Sequence, residues 1–106
     1  MALRKIDAGK MASVPCLKMS DGNSIPVLGL GTLELRGTEQ AEIAVNAAID
    51  AGYRYFDTAF HYENEKEIGD ALYKRIADGT VKRDEIFITT KVTIKNMNNL
   101  SFIKTV

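Results

Sequence analysis

The sequence predicts an α/β fold in which a short hairpin leads into a parallel sheet whose strands alternate with helices. Three observations predict it. From about residue 17 onward, short apolar or β-branched runs alternate with segments of helical periodicity. Near the start, Asp21-Gly22 separates two short runs, a hairpin-turn signal. Each helical segment is followed by a glycine, as at a helix C-terminus. Strands alternating with helices build right-handed βαβ units on a parallel sheet.

The elements follow in order. Residues 17–19 form a short alternating run, 20–23 the turn and 24–26 the return strand. Pro26 lacks a backbone donor, so this hairpin belongs at an edge. Residues 27–31 are a continuous apolar run with small residues, suited to a strand covered on both faces. Thr38 offers an N-cap, with Glu39 and Glu42 in the first turn near the positive helix end. Ala41, Val45, Ala48 and Ile49 recur at helical spacing and Gly52 follows, so a helix is predicted over 38–51. Residues 53–57 are short and aromatic, a second strand ending in Asp57. After a loop over 58–63, Asn64 is the next N-cap. Ile68, Ala71, Leu72, Arg75 and Ile76 then share one helix face before Gly79. Residues 86–91 are a β-branched strand ending in Lys91. Residues 1–16 read as a flexible extension, and 93–106 as a tail without a helical face or cap.

Composition bounds the function. The chain has 106 residues, enough for one small domain. Hydrophobic residues make up 45% and charged residues 26%, which argues against wholesale disorder. The net charge is zero, so no global field draws the chain to nucleic acid or an anionic membrane. Neither partner is expected. One cysteine, Cys16, excludes an intramolecular disulfide, and one histidine, His61, leaves no zinc cluster. No metal site is expected. The basic start is not followed by an apolar run of signal-peptide length, and nothing approaches the ~18 apolar residues of a membrane span. A lone thiol without an export signal fits a cytoplasmic location. Cys16 itself reads as an ordinary thiol, and Asn99-Leu100-Ser101 as a glycosylation pattern without a secretory route.

Gly29 and Gly31 resemble the start of a dinucleotide fingerprint, but position 34 is Glu34, not the third glycine. Close strand packing is the better explanation of the pair. Asp57, Tyr62 and Lys91 carry more information. Asp57 and Lys91 end strands and Tyr62 lies in the loop after the second, so all three fall at the carboxyl edge of one parallel sheet. Neighbouring strands lie about 4.8 Å apart, within reach of an Asp57–Lys91 pair. An ammonium beside a phenol favours the ionised form, and such a phenol donates a proton to a developing alkoxide. That chemistry suits carbonyl reduction. On spacing alone, an ordinary surface ion pair beside an amphipathic tyrosine is the simpler explanation.

A resemblance reverses that preference. The segments Val27-Leu28-Gly29-Leu30-Gly31-Thr32, Ala48-Ile49-Asp50-Ala51-Gly52-Tyr53-Arg54 and Asp57-Thr58-Ala59-Phe60-His61-Tyr62-Glu63-Asn64-Glu65 resemble the aldo-keto reductase family. The run from Val81 to Lys91 is similar too. The resemblance covers about residues 17–92. It implies the N-terminal hairpin, first three strands and first two helices of a (β/α)₈ TIM barrel, here incomplete. It also implies reduction of a small-molecule aldehyde or ketone with NADPH. By the same resemblance, Tyr62 is the proton donor, Lys91 its ammonium partner and Asp57 the carboxylate holding the lysine. Gly31, Thr32 and Asp57 lie beside the cofactor, and Leu33 with Tyr62 borders the substrate pocket. Leu33 stands where many members carry a tryptophan. The family's catalytic histidine follows a later strand, and His61, in the loop of Tyr62, does not match it.

A complete barrel takes about 250 residues. The chain alone is therefore expected to be a truncated, inactive and marginally stable piece of the enzyme, with open strand edges prone to association. The alternative is a non-catalytic short isoform that binds a partner through such an edge.

Overall fold

Two three-stranded sheets, one antiparallel and one parallel, organise the computed structural model, which describes residues 3–6, as backbone only, and 14–93. In the first sheet β1 (Leu3–Ile6) pairs antiparallel with β2 (Val14–Lys18), and β2 pairs with β3 (Ser24–Pro26). Residues 3–6 and 14–16 were expected in a flexible extension; they are strand. Pro15 hides the strand pattern, yet its carbonyl accepts from the Val27 N–H at 3.0 Å. Its missing donor falls just beyond the last β2–β3 partners, Cys16 and Pro26. The turn between β2 and β3 is as expected. Gly22 adopts φ +90°, and the Asp21 carboxylate accepts from the Asn23 backbone N–H at 2.9 Å. That bond, with a second from the Asn23 amide, holds the Asp21 carboxyl below its usual range.

The parallel sheet has the order β4 (Leu30–Gly31), β5 (Tyr55–Asp57), β6 (Phe87–Thr89), with α1 (Gly37–Asp50) and α2 (Glu65–Ala77) in the connections. The run 27–31 was expected to be a strand covered on both faces. Only Leu30 and Gly31 are strand, and Val27 and Leu28 are 49% and 57% exposed. The physical reason is that the run's first residues pass from one sheet to the other, Val27 still bonding back to Pro15. The sheet's two faces differ. Leu30, Phe56 and Ile88 are register partners on one face, where Phe56 is fully buried against the helices. Gly31, Asp57 and Thr89 are partners on the other.

The helix assignments hold, and the start of α1 differs. Ala41, Val45, Ala48 and Ile49 of α1 meet Ile68, Ala71 and Leu72 of α2 in one core with Phe56, Val81 and Ile86. Thr38 was expected as the cap of α1. The helix instead begins at Gly37, with φ +75°, and Gln40 Oε1 reaches back to accept from the Arg36 N–H. Gln40 thus satisfies the backbone N–H of the cap residue, which itself makes no side-chain cap hydrogen bond. Both helices end alike. Gly52 and Gly79 take positive φ, and each pair of flanking amides (Gly52 and Tyr53, Gly79 and Thr80) returns to the last-turn carbonyls. Arg75 shares the inward face of α2 but pairs with Asp50 and Asn46 of α1 at the rim.

Arg54 was expected within the second strand, over 53–57, and lies just before β5. It is fully buried, and its Nη1 donates to the carbonyls of Ile49 and Tyr53 at 3.0 and 2.6 Å. It thereby supplies a donor to the last turn of α1, whose carbonyls lack helical partners. Burial pushes the guanidinium below its usual range, and Glu85 opposes that. Among the described residues, no helix is long and apolar enough to cross a membrane.

Candidate active site

At the carboxyl edge of the parallel sheet, β5 ends in Asp57 and β6 runs out just before Thr90 and Lys91. The chain after β5 makes a 3₁₀ turn, Phe60–Tyr62, that brings the Tyr62 ring back over this edge. The turn is fixed at both ends. Phe60 N–H donates to the Lys91 carbonyl at 3.2 Å, and Glu63 takes the left-handed conformation with φ 57°. The expected trio therefore comes together.

Lys91 Nζ lies 2.8 Å from Asp57 Oδ1, 3.1 Å from the Tyr62 hydroxyl and 3.1 Å from the Thr58 carbonyl. It also stands 4.9 Å from the centre of the Tyr62 ring. The Asp57 hydrogen bond first, and the Tyr62 bond second, hold the Lys91 ammonium above the ordinary lysine range. The Lys91 and Asp57 side chains are 47% and 36% exposed, so solvent screens the pair. Asp57 uses one carboxylate oxygen on the lysine, and its second has no hydrogen bond among the described residues.

Gly31 sits beside Asp57 in register, with open space where a side chain would begin. Gly29 is different. A methyl there would fall 2.6 Å from the Tyr55 ring, so close packing explains this glycine and does not explain Gly31. Thr32 is buried and donates its hydroxyl to the Asp57 carbonyl at 2.9 Å. Leu33 follows it, 52% exposed. His61 is exposed and enters none of the hydrogen bonds of this site. Among the described residues, no cluster of His, Cys, Asp or Glu is placed to hold a metal.

Two side chains at the start of α2 were not singled out for this site by sequence. Asn64 was expected to cap α2. It occupies the cap position, but its side chain turns away from the helix. Its amide donates to the carbonyls of Thr32 at 2.6 Å and Leu35 at 2.9 Å, fastening the loop after β4. Glu65 Oε2 contacts the hydroxyls of Thr58, at 2.8 Å, and Thr90, at 2.5 Å. The position of Asp57-Thr58 and Thr90-Lys91 at two adjacent strand ends was the available signal for the second contact.

A family model described as the aldo/keto reductase family matches residues 27–104. The chain belongs to the aldo-keto reductase family. The match runs past residue 92, where the resemblance was expected to stop. Curated aldo-keto reductase relatives include aldo-keto reductase family 1 member C15 of Rattus norvegicus. It is 49% identical over 81 residues, which is 74% of this chain and 25% of the relative. The prostaglandin-E(2) 9-reductase of Oryctolagus cuniculus is 53% identical over 76 residues, 70% of this chain and 24% of the relative. Among solved structures, the Bombyx mori aldo-keto reductase in complex with NADP superposes with a TM-score of 0.69 at 41% identity. That likeness covers 76% of this chain and 28% of the other. The chain thus spans about a quarter of the length of the aldo-keto reductases it matches, and its sheet and helices correspond to an incomplete (β/α)₈ barrel.

Proposed function

We propose that this chain carries the proton-donating group of an NADPH-dependent reduction of aldehydes or ketones to alcohols. The observation that carries the proposal is the Lys91 ammonium bonded at once to Asp57 Oδ1 and the Tyr62 hydroxyl. In this reading the substrate's carbonyl oxygen accepts a hydrogen bond from Tyr62. As the carbonyl carbon gains a hydride, Tyr62 passes its proton to that oxygen. The ammonium stabilises the phenolate left behind, and Asp57 keeps the ammonium in place. Leu33 and Tyr62 border the substrate.

NADPH, when bound, supplies the hydride. The residues at this edge fit such a cofactor. Gly31 leaves space beside Asp57, the second Asp57 oxygen is open to a hydroxyl or amide donor, and Thr32 fixes the adjoining backbone. The NADP complex of the Bombyx mori relative supports the choice of cofactor.

A chimera tests the reading. Residues 27–93 of this chain replace the matching segment of the Bombyx mori aldo-keto reductase, and NADPH consumption is followed with a small aldehyde. The folded chimera is expected to turn over, and Tyr62→Phe to lower kcat by about 10²–10⁴-fold. Equal turnover with and without the Tyr62 hydroxyl would overturn the assignment.

A second reading, a non-catalytic binding protein that associates through a strand edge, draws on the exposed Val27, Leu28 and Ile88. Sedimentation of the 106-residue chain over a concentration series tests it. A strictly monomeric chain at all concentrations removes self-association from consideration.

A further inference from the structure

A lysine ammonium has three donors and sits on a flexible four-carbon stem. Holding it in one place costs side-chain entropy. At Lys91 all three donors have acceptors, namely Asp57 Oδ1, the Thr58 carbonyl and the Tyr62 hydroxyl. In the proposed reaction the phenol gains negative charge. The other two acceptors must keep the ammonium aimed while that happens. Asp57 is itself an exposed side chain, so the backbone at Thr58 and at Lys91 is the firmer support.

One carboxylate reaches both supports. Glu65 opens α2, and its Oε2 lies 2.8 Å from Thr58 Oγ1 and 2.5 Å from Thr90 Oγ1. Thr58 follows Asp57, and Thr90 precedes Lys91. Thr58 is also bonded through its backbone N–H to the Thr89 carbonyl at 2.8 Å. Its hydroxyl lies 2.7 Å from the same carbonyl, so its single proton is shared between that carbonyl and Glu65 Oε2. Glu67 shares the first turn of α2 and makes no hydrogen bond to these strand ends among the described residues. A carboxylate placed only to favour the helix N-terminus has no need of two threonines from two different strand ends.

We infer that Glu65 is a positioning residue for the Lys91 ammonium, acting through the hydroxyls of Thr58 and Thr90. The inference rests on the proposed function and adds to it the group that sets the geometry of the lysine. Glu65 touches neither substrate nor cofactor. It fixes the rotation of the Thr58 carbonyl toward Lys91 Nζ and keeps the end of β6 from fraying where Lys91 leaves the sheet.

The test reads the lysine directly and needs no turnover. The 106-residue chain is labelled at its lysine side chains, and each ammonium is titrated by NMR, with Lys91→Arg assigning the signal. In the native chain Lys91 is expected to titrate above ordinary lysines, because of Asp57 and Tyr62. Glu65→Ala is expected to remove most of that upward displacement. Glu65→Gln, which keeps an oxygen to accept from the hydroxyls, is expected to restore most of it. Thr90→Val removes one of the two contacts without altering α2 and is expected to give a partial loss. Lys66 is the internal control, since its own upward displacement comes from Asp70 one turn along α2. If Glu65→Ala also abolishes the Lys66 displacement, the helix has opened and Thr90→Val decides. A native Lys91 that titrates as an ordinary lysine counts against the proposed active site itself. A native Lys91 that is displaced, and unmoved by Glu65→Ala and Thr90→Val with α2 intact, overturns the role of Glu65 and leaves that site standing.

Discussion

Gly29→Ala tests the packing on the face of the parallel sheet that carries Tyr55 and Asp57, opposite the helices. The added methyl would lie 2.6 Å from Cδ2 and 2.9 Å from Cγ of the Tyr55 ring. Ordinary carbon contacts are ~3.5–4.0 Å, so the ring must retreat by about 1 Å. It is not free to do so. Tyr55 packs edge-on against Phe87 with centroids 5.5 Å apart, and its hydroxyl is 3.0 Å from Thr89 Oγ1. Overpacking of this kind costs about 1–3 kcal/mol, and a lost hydrogen bond adds about 0.5–1.5 kcal/mol. Against this, replacing glycine at an ordinary φ stiffens the unfolded chain and returns about 0.4–1 kcal/mol. The net expectation is a loss of about 1–3 kcal/mol.

Urea unfolding followed by circular dichroism measures that loss, and two comparisons isolate its cause. Gly31→Ala has nothing within 4 Å of the new methyl and is expected to stay within about 0.5 kcal/mol of the parent. Gly29→Ala in a Tyr55→Val background is expected to cost little, giving a coupling energy of at least about 1 kcal/mol. Equal costs in the two backgrounds would refute the steric argument.

Three further outcomes are expected. Glu63 holds φ 57° in the turn carrying Tyr62, so Glu63→Gly is expected to be neutral or to stabilise by up to about 1 kcal/mol, and Glu63→Val to cost about 1–2 kcal/mol by thermal unfolding. Asn64→Ala removes the side-chain donor from the carbonyls of Leu35 and of Thr32, the latter keeping the Leu35 N–H at 3.3 Å. It is expected to cost about 2–3 kcal/mol and to speed amide exchange in the loop after β4. Lys91 has a raised pKa when folded, so its stabilising contribution is complete below the ordinary lysine value and is lost as pH rises through the folded value. Stability measured against pH is therefore expected to fall less steeply above about pH 10 in Lys91→Met than in the parent.

Much of the fold was legible because its signals are local. Ala41, Val45, Ala48 and Ile49 bury one face of α1 as their spacing requires, and Gly52 and Gly79 end the helices in the left-handed conformation expected of them. Asp57, Tyr62 and Lys91 meet because two strand ends and one short turn must share an edge. What was not legible depends on tertiary choice. A hydroxyl at Thr38 and an amide at Asn64 look alike as caps in sequence. Gln40 accepts from the Arg36 N–H from within the helix, and the Asn64 amide was drawn to two carbonyls 29 or more residues away. Arg54 was opaque for a similar reason. A cation in a short aromatic strand gives no sign that helix-end carbonyls will hold it inside. The strand over 14–16 was masked by Pro15, whose cost depends on which neighbour its nitrogen faces.

The parallel sheet separates stability from chemistry by the period of the strand. Phe56 points to the helices and is fully buried, while Asp57, the next residue, points to the opposite face and meets Lys91. A one-residue slip of β5 would exchange the two, placing a carboxylate in the core and a phenyl ring at the candidate site. The register therefore needs strong support from strands only two or three residues long. The start of α2 supplies it. Asn64 fastens the loop after β4, and Glu65 fastens the residues after β5 and before Lys91. Short strands with weak ladders of their own are thus aligned at the edge where Asp57, Tyr62 and Lys91 must meet. The same two adjacent residues, Asn64 and Glu65, make alignment at all three strand ends dependent on one helix terminus.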